Sequence, residues 1–171
     1  NNTETQVISI TVNPVNDAAT FGGATTGTED EDTTITGTLT ASDIADGLTN
    51  PNFTVSADGV NGSATIDAVS GAWIYTPDTN FNGTDSFTVT ITDDDGNAES
   101  QVINVTVSQV NDDATFGGDI SGTGAEDGGA ITGTLTASDI ADGLNNPNFT
   151  VSADGANGSA TINATTGAWS Y

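Results

Sequence analysis

The side chains able to do chemistry in this 171-residue chain are almost all carboxylates. There are 19 aspartates and 5 glutamates, with no lysine, arginine, histidine or cysteine, and the formal charge is −24. The carboxylates gather in short polar runs: Asn16-Asp17, Glu29 to Asp32, Asp43 with Asp46, Asp78, Asp93 to Asp95, and Asn111 to Asp113. Short carboxylates among Asn and Gly in tight loops suit a hard cation that takes about six to eight oxygen ligands at ~2.3–2.6 Å. With no nitrogen or sulfur ligand on offer, the donor set points to calcium and away from zinc or copper. Convergence itself calls for a cation, because two carboxylates ~4 Å apart repel by ~4 kcal/mol at an effective dielectric of about 20. The competing explanation is plain turn chemistry, since Asp favours turns and caps and charge keeps an acidic domain soluble.

The same inventory excludes other functions. Nucleic acids and anionic membranes are not partners for a surface with no basic side chain. The usual bases and nucleophiles of catalysis are missing, leaving carboxylates, hydroxyls and two tyrosines. A two-carboxylate glycosidase would need its acids in one site, and here they recur in turns along the chain, so no enzyme is expected. An isopeptide staple would need a lysine amine, and without cysteine neither disulfides nor thiolate metal sites hold the fold. No apolar run approaches the roughly 18 residues of a membrane span, and residues 1 to 20 lack a basic start followed by an apolar core.

The elements that must position these carboxylates repeat. TGTLTASDIADGL over 36–48 returns at 132–144, and NPNFTVSADG from Asn50 returns from Asn146, both 96 residues on. NDAATFGG from Asn16 returns as NDDATFGG from Asn111, and QVISITV from Gln6 returns as QVINVTV from Gln101, both 95 residues on. One residue is therefore inserted between Phe116 and Gly133. These boundaries predict the last strand of a preceding repeat over 1–14, a complete repeat over 15–110, and a partial repeat over 111–171 that lacks its final strands. The last unit stops at Tyr171, the counterpart of Tyr75, so a longer parent protein is expected.

Within the complete repeat, period-2 alternation dominates. Phe87, Val89 and Ile91 share one face, as do Ile103, Val105 and Val107. Shorter runs rich in β-branched and aromatic residues lie at 33–40, 52–56, 63–67 and 72–76, with a further strand near Ala18 to Phe21. Turn dipeptides such as Asp58-Gly59, Asn61-Gly62 and Asp95-Gly96 separate them. About seven strands in ~95 residues with no helical segment predict an all-β fold, an immunoglobulin-like or cadherin-like Greek-key sandwich, repeated end to end. Trp73 and Tyr75, recurring as Trp169 and Tyr171, are expected in the core rather than on a sugar-stacking platform.

Several of these runs resemble a known family. ASDIADGLTN resembles the cadherin A-x-D-x-D-x-G-x-N run, ATIDAVSGAW its F-x-I-D-x-x-T-G-x-I run, and Thr76 to Asp78 sits where cadherins carry L-D-R-E. The segment FTVTITDDDGNAESQVINVTVSQVND resembles the final cadherin strand pair with its linker. The ~95-residue period and TPDTNFNGTDSFTVTITDDDG are more similar still to the bacterial tandem-95, cadherin-like (VCBS-type) repeats of giant surface adhesins, over essentially the whole chain. The resemblance implies calcium between successive repeats. At one junction it implies Glu29 (or Glu31), Asp78, Asn111, Asp112, Asp139 and Asp142 as ligands. At the upstream junction it implies Asn16, Asp17, Asp43, Asp46 and one or more of Asp93, Asp94 and Asp95. The sequence departs from the pattern in three places: Asp43 and Asp46 are spaced one residue wider, no glutamate follows Asp78, and the linker reads N-D-A or N-D-D. Fewer ions, or ions differently placed, would follow.

The expected function is that of an extracellular, cell-surface extender or spacer, stiffened by calcium at its linkers, with adjacent repeats of the same chain as partners. Two other classes stay open: a self-assembling filament or surface-layer subunit in which like chains contact one another, and a glycan- or ice-binding module using the Thr face at Thr34, Thr36, Thr38 and Thr40. Sequons at Asn52, Asn61, Asn82, Asn104, Asn148, Asn157 and Asn163 leave glycosylation open. The chain carries no trypsin site.

Overall fold

The computed structural model describes residues 1–13 and 15–171. All regular structure among the described residues is β-strand, and the chain divides into two units, Asn1–Gln109 and Val110–Tyr171.

The first unit is a sandwich of two four-stranded sheets. One sheet has the order β1 (Thr20–Gly23), β3 (Ile35–Ser42), β6 (Ala72–Pro77), β5 (Gly62–Ile66). The other has the order β2 (Thr26–Asp30), β8 (Ala98–Ser108), β7 (Gly83–Thr92), β4 (Thr54–Ala57). This arrangement corresponds to the immunoglobulin layout, with the first strand divided between the sheets. The expected sandwich is therefore present, with eight strands where about seven were anticipated. The additional strand is β2, whose TGTED sequence has no apolar residue, and it is held by parallel pairing of Thr26–Asp30 with Asn104–Ser108. The chain changes sheets just before it. Gly23 takes φ 77°, a left-handed conformation that suits glycine, and Ala24 N–H donates to Thr38 C=O.

Alternation places the core where the pattern anticipated. Phe87, Val89 and Ile91 of β7 and Ile103, Val105 and Val107 of β8 face Ile35, Leu39, Trp73 and Tyr75 of the opposite sheet, all buried. Trp73 sits at the centre, 1% exposed, edge-on to Phe87 with ring centroids 5.5 Å apart. Its indole N–H donates to Ala24 C=O at 3.0 Å. The ring lies so close to β2 and β3 that Gly27 and Gly37 leave no room for a Cβ beside it. Trp73 and Tyr75 are thus core residues, as their recurrence suggested.

Tyr75 also closes a polar latch. Its hydroxyl donates to Asp85 Oδ2 at 2.6 Å, and the same carboxylate accepts the amides of Val60 and Asn61 from the loop before β5. Burial, then the bond to Asp85, pushes the Tyr75 hydroxyl well above its ordinary range. Burial pushes the Asp85 carboxyl up, but the Tyr75 hydroxyl and the amides of Asn61, Ser86 and Val60 outweigh it and hold it below the usual value. A hydrogen bond to a charged group contributes about 1.5–3 kcal/mol, so Tyr75→Phe should lower unfolding stability by about 2 kcal/mol in urea titrations. A depressed folded-state pKa adds stability that is present above the unfolded pKa of about 3.9 and lost as pH falls through the folded value. The acid limb of a stability–pH profile should accordingly be shallower in Asp85→Asn than in the unaltered protein.

The second unit contains one sheet, ordered β11 (Thr161–Ile162), β12 (Ala168–Ser170), β10 (Thr132–Ser138), β9 (Thr115–Gly118). It reproduces the β5-β6-β3-β1 sheet strand for strand. Trp169 repeats the bond of its counterpart, its indole N–H donating to Asp119 C=O at 2.8 Å. Residues 150–153, the counterpart of β4, form no strand, because β4 is held only by β7 and the described residues contain no counterpart of β7. The inner face of this sheet is correspondingly open, with Ile131, Leu135, Ile162 and Trp169 lining a cavity of about 450 Å³. Gly122 and Ile131 pack on Trp169 as Gly27 and Ile35 pack on Trp73, which narrows the one-residue insertion to the segment between Gly122 and Ile131.

Residues 1–13 form no strand, although QVISITV repeats the sequence of β8. Ile8, Ile10 and Val12, counterparts of the buried Ile103, Val105 and Val107, are exposed. β8 is paired on one side by β2 and on the other by β7, whereas no described strand pairs with 6–12. Pro14, which ends the segment expected to close a preceding repeat, lies outside the described residues.

Candidate metal centre

Three carboxylates converge at the end of the first unit where β3 finishes and β7 turns into β8. Oxygen atoms of Asp43, Asp46 and Asp93 all lie within 4.8 Å of one another. Two of these residues follow from strand parity. Ile35 and Leu39 are odd-numbered positions on the inward face of β3, and Phe87, Val89 and Ile91 on that of β7; Asp43 and Asp93, each one residue past its strand, keep the same parity. Each carboxylate therefore enters the rim of the core, where Asp43 is 8% and Asp93 7% exposed.

Local turns hold the carboxylates in place. Asp43 Oδ1 accepts the amides of Ala45 and Asp46, each at 3.0 Å. Its Oδ2 is buried and finds no hydrogen-bond donor in the protein. Asp93 accepts the backbone amide of Asn97 at 2.7 Å and the Asn97 side-chain amide at 2.9 Å. That side-chain bond is the main reason the Asp93 carboxyl stays below its usual range, against the opposing effect of burial. Gly96, at φ 90°, gives the tight turn that returns Asn97 to Asp93.

The residue set fits calcium on its own chemistry. Oxygens bound to one ion at ~2.3–2.6 Å lie no more than about 5 Å apart, and the observed spread meets that limit. A buried carboxylate oxygen without a donor is costly unless a cation or proton satisfies it. The donors are all oxygen, which suits a hard ion.

The other expected ligands fall into separate groups. The amide of Asp17 donates to Asp46 Oδ2, so the stretch before β1 is tied to the triad through its backbone, while the Asp17 side chain and Asn16 are exposed. Asp17, Ser42 and Asp43 line a polar depression of about 310 Å³ there. Asp95 gives its amide to Asp93 and keeps its own carboxylate exposed. Asp94 instead caps the loop after Asp46, accepting the Thr49 amide at 3.1 Å and its hydroxyl at 2.7 Å.

In the second unit, Asp112, Asp139 and Asp142 are linked through backbone amides as Asp17, Asp43 and Asp46 are. Asp112 N–H donates to Asp142 Oδ2 at 2.6 Å and Asp142 N–H to Asp139 Oδ1 at 3.0 Å, while Asn111 Nδ2 donates to Asp112 C=O.

Glu29 and Asp78 are not part of the triad. They belong to the opposite end of the first unit, the length of β8 away, roughly 33 Å for its 11 residues. Glu29 is exposed on β2 and Asp78 is exposed just after β6. Between the alternatives Glu29 and Glu31, it is Glu31 that is buried, with its amide donating to Ser108 C=O. Nearby, Asp32 Oδ1 accepts the Asn80 amide at 3.2 Å. The residue that sequence reasoning missed is Asn97. Its signal was the turn Asp93-Asp94-Asp95-Gly96-Asn97, in which a side chain four residues on can reach back to the first aspartate.

Residues 14–106, more than half of the chain, match the family described as bacterial Ig domain. No curated protein matches the chain.

Proposed function

The chain belongs to the bacterial Ig domain family, and from that premise we propose that it is a structural spacer of an extracellular, cell-surface protein, of the cadherin-like tandem-repeat type, fastened by calcium and without enzymatic activity. The observation that carries this reading is the triad of Asp43, Asp46 and Asp93, with the Asp17 amide bound to Asp46. The stretch entering the unit is thereby anchored on the carboxylates that would hold the ion. The second unit repeats the anchor through Asp112 and Asp142, so the device belongs to the repeat rather than to one accident of sequence.

The physical account is mechanical. With cations absent, carboxylates gathered at the end of a unit repel one another and the adjoining linker is free to swing. Calcium reverses the sign of that interaction and fixes the linker against the unit, and an array of such units becomes a stiff rod. Of the expected ligands, Asn16, Asp17, Asp43, Asp46 and Asp93 serve the end of the unit beginning at β1, and Asn111, Asp112, Asp139 and Asp142 the end beginning at β9. Glu31, Asp32 and Asp78 lie at the opposite end of the first unit, the end from which the chain leaves toward Asn111. Charge supports this division: β9 to β12 carry no carboxylate, and in β1 to β8 only Glu29, Asp30, Asp85 and Glu99 lie within strands. Flanks of this kind do not repel one another, while the ends depend on a cation.

Titration calorimetry tests the reading. Calcium added to the chelator-treated protein should give saturable heat in the micromolar to millimolar range of extracellular sites, and Asp43→Asn should abolish the part due to the first unit. No heat at millimolar calcium would rule the reading out.

A further inference from the structure

We propose that the cation is held by the first unit alone and ties its two sheets together, so that calcium stiffens the sandwich itself and not only its joint with a neighbour. This rests on the calcium reading above. The ligands come from opposite layers. Asp43 and Asp46 follow β3 of the β1-β3-β6-β5 sheet, and Asp93 follows β7 of the β2-β8-β7-β4 sheet. At this rim the hydrophobic core has ended and the inward positions are carboxylates, two of them buried. Asp43 Oδ2 is buried without a donor, and the same carboxylate offers an oxygen to the triad. An ion on these three groups would close the end of the sandwich as a clamp. No group from another unit is needed for it.

The chain contains its own control. Asp139 and Asp142 follow β10 as Asp43 and Asp46 follow β3, and Asp112 approaches them as Asp17 approaches Asp46. Among the described residues no carboxylate from a facing sheet joins them. From its own unit a cation there would take ligands from one layer and the linker, so its response to calcium should not depend on Asp93.

Amide hydrogen exchange on the whole chain, in chelator and then in calcium at about 100 times its dissociation constant, tests the clamp. Openings that break a bound site are suppressed about 100-fold under those conditions. The amides of Ala45 and Asp46 on one layer and Asn97 on the other should slow together by about that factor. Asp93→Asn should remove the slowing at Ala45 and Asp46, although it lies on the other sheet, and Asp46→Asn should remove it at Asn97. Slowing at Ala45 and Asp46 with Asn97 unmoved, or a calcium response at Ala45 and Asp46 that survives Asp93→Asn, would overturn the clamp. If calorimetry shows calcium bound while exchange stays independent between the layers, only the clamp falls. If neither method responds to calcium, the calcium reading falls with it.

Discussion

Trp73→Ala should unfold the first unit at temperatures where the unaltered protein is fully native, with a loss of about 3–5 kcal/mol. Domains of this size are stable by only about 5–15 kcal/mol, and each kcal/mol moves the melting temperature of a domain under 100 residues by about 4–8 °C. A drop of at least about 12 °C by differential scanning calorimetry is therefore expected. The reason lies in how the site was built. Trp73 fills the space between the sheets, meets Phe87 edge-on, ties its indole N–H to Ala24 where the chain changes sheets, and lies against Gly27 and Gly37. Removing it empties a volume that neighbours on fixed strands cannot refill. Trp169→Ala should cost much less, because Trp169 lies on a single sheet and lines an open cavity instead of a closed core.

The second large effect depends on calcium and changes sign with it. A ligand that binds only the folded state at about 100 times its dissociation constant stabilises by about 2.7 kcal/mol, which for this unit corresponds to a rise of roughly 10–20 °C in melting temperature. Asp43→Asn should lose that rise. In chelator the same variant should melt higher than the unaltered protein. It keeps an oxygen able to accept the Ala45 and Asp46 amides and removes a charge that sits within 4.8 Å of two others. Like charges at that spacing repel one another, and solvent reduces the repulsion at the rim. Melting curves of both proteins in both conditions give the crossing. Parallel shifts would instead mark Asp43 as an ordinary turn aspartate.

Much of the sandwich was legible because its strands alternate cleanly. The inward faces of β7 and β8 could be read from Phe87 to Ile91 and from Ile103 to Val107 without any structure. β2 was not legible, because TGTED carries no alternation and owes its strand geometry to pairing with β8. The local pattern of QVISITV was likewise a poor guide, since strand formation there requires a paired neighbour. At the site, the acidic runs included the turns whose carboxylates converge but did not show which aspartate in each run points inward. Parity contained that answer for Asp43 and Asp93, whereas the capping role of Asp94 depends on where Thr49 falls in space. The carry-over from cadherins named Glu29 or Glu31, with Asp78, and could not choose between the two glutamates. Of the two the fold buries Glu31, because the backbone beyond β2 is pinned to Ser108.

The central claim is that calcium converts a chain of acidic-ended sandwiches into a stiff spacer, and small-angle X-ray scattering of the protein in chelator and in millimolar calcium tests it most directly. The account predicts that calcium narrows the distribution of interatomic distances and fixes a single larger maximum dimension, and that Asp112→Asn combined with Asp142→Asn removes the change. Superimposable scattering curves, obtained while calorimetry shows calcium bound, would contradict it.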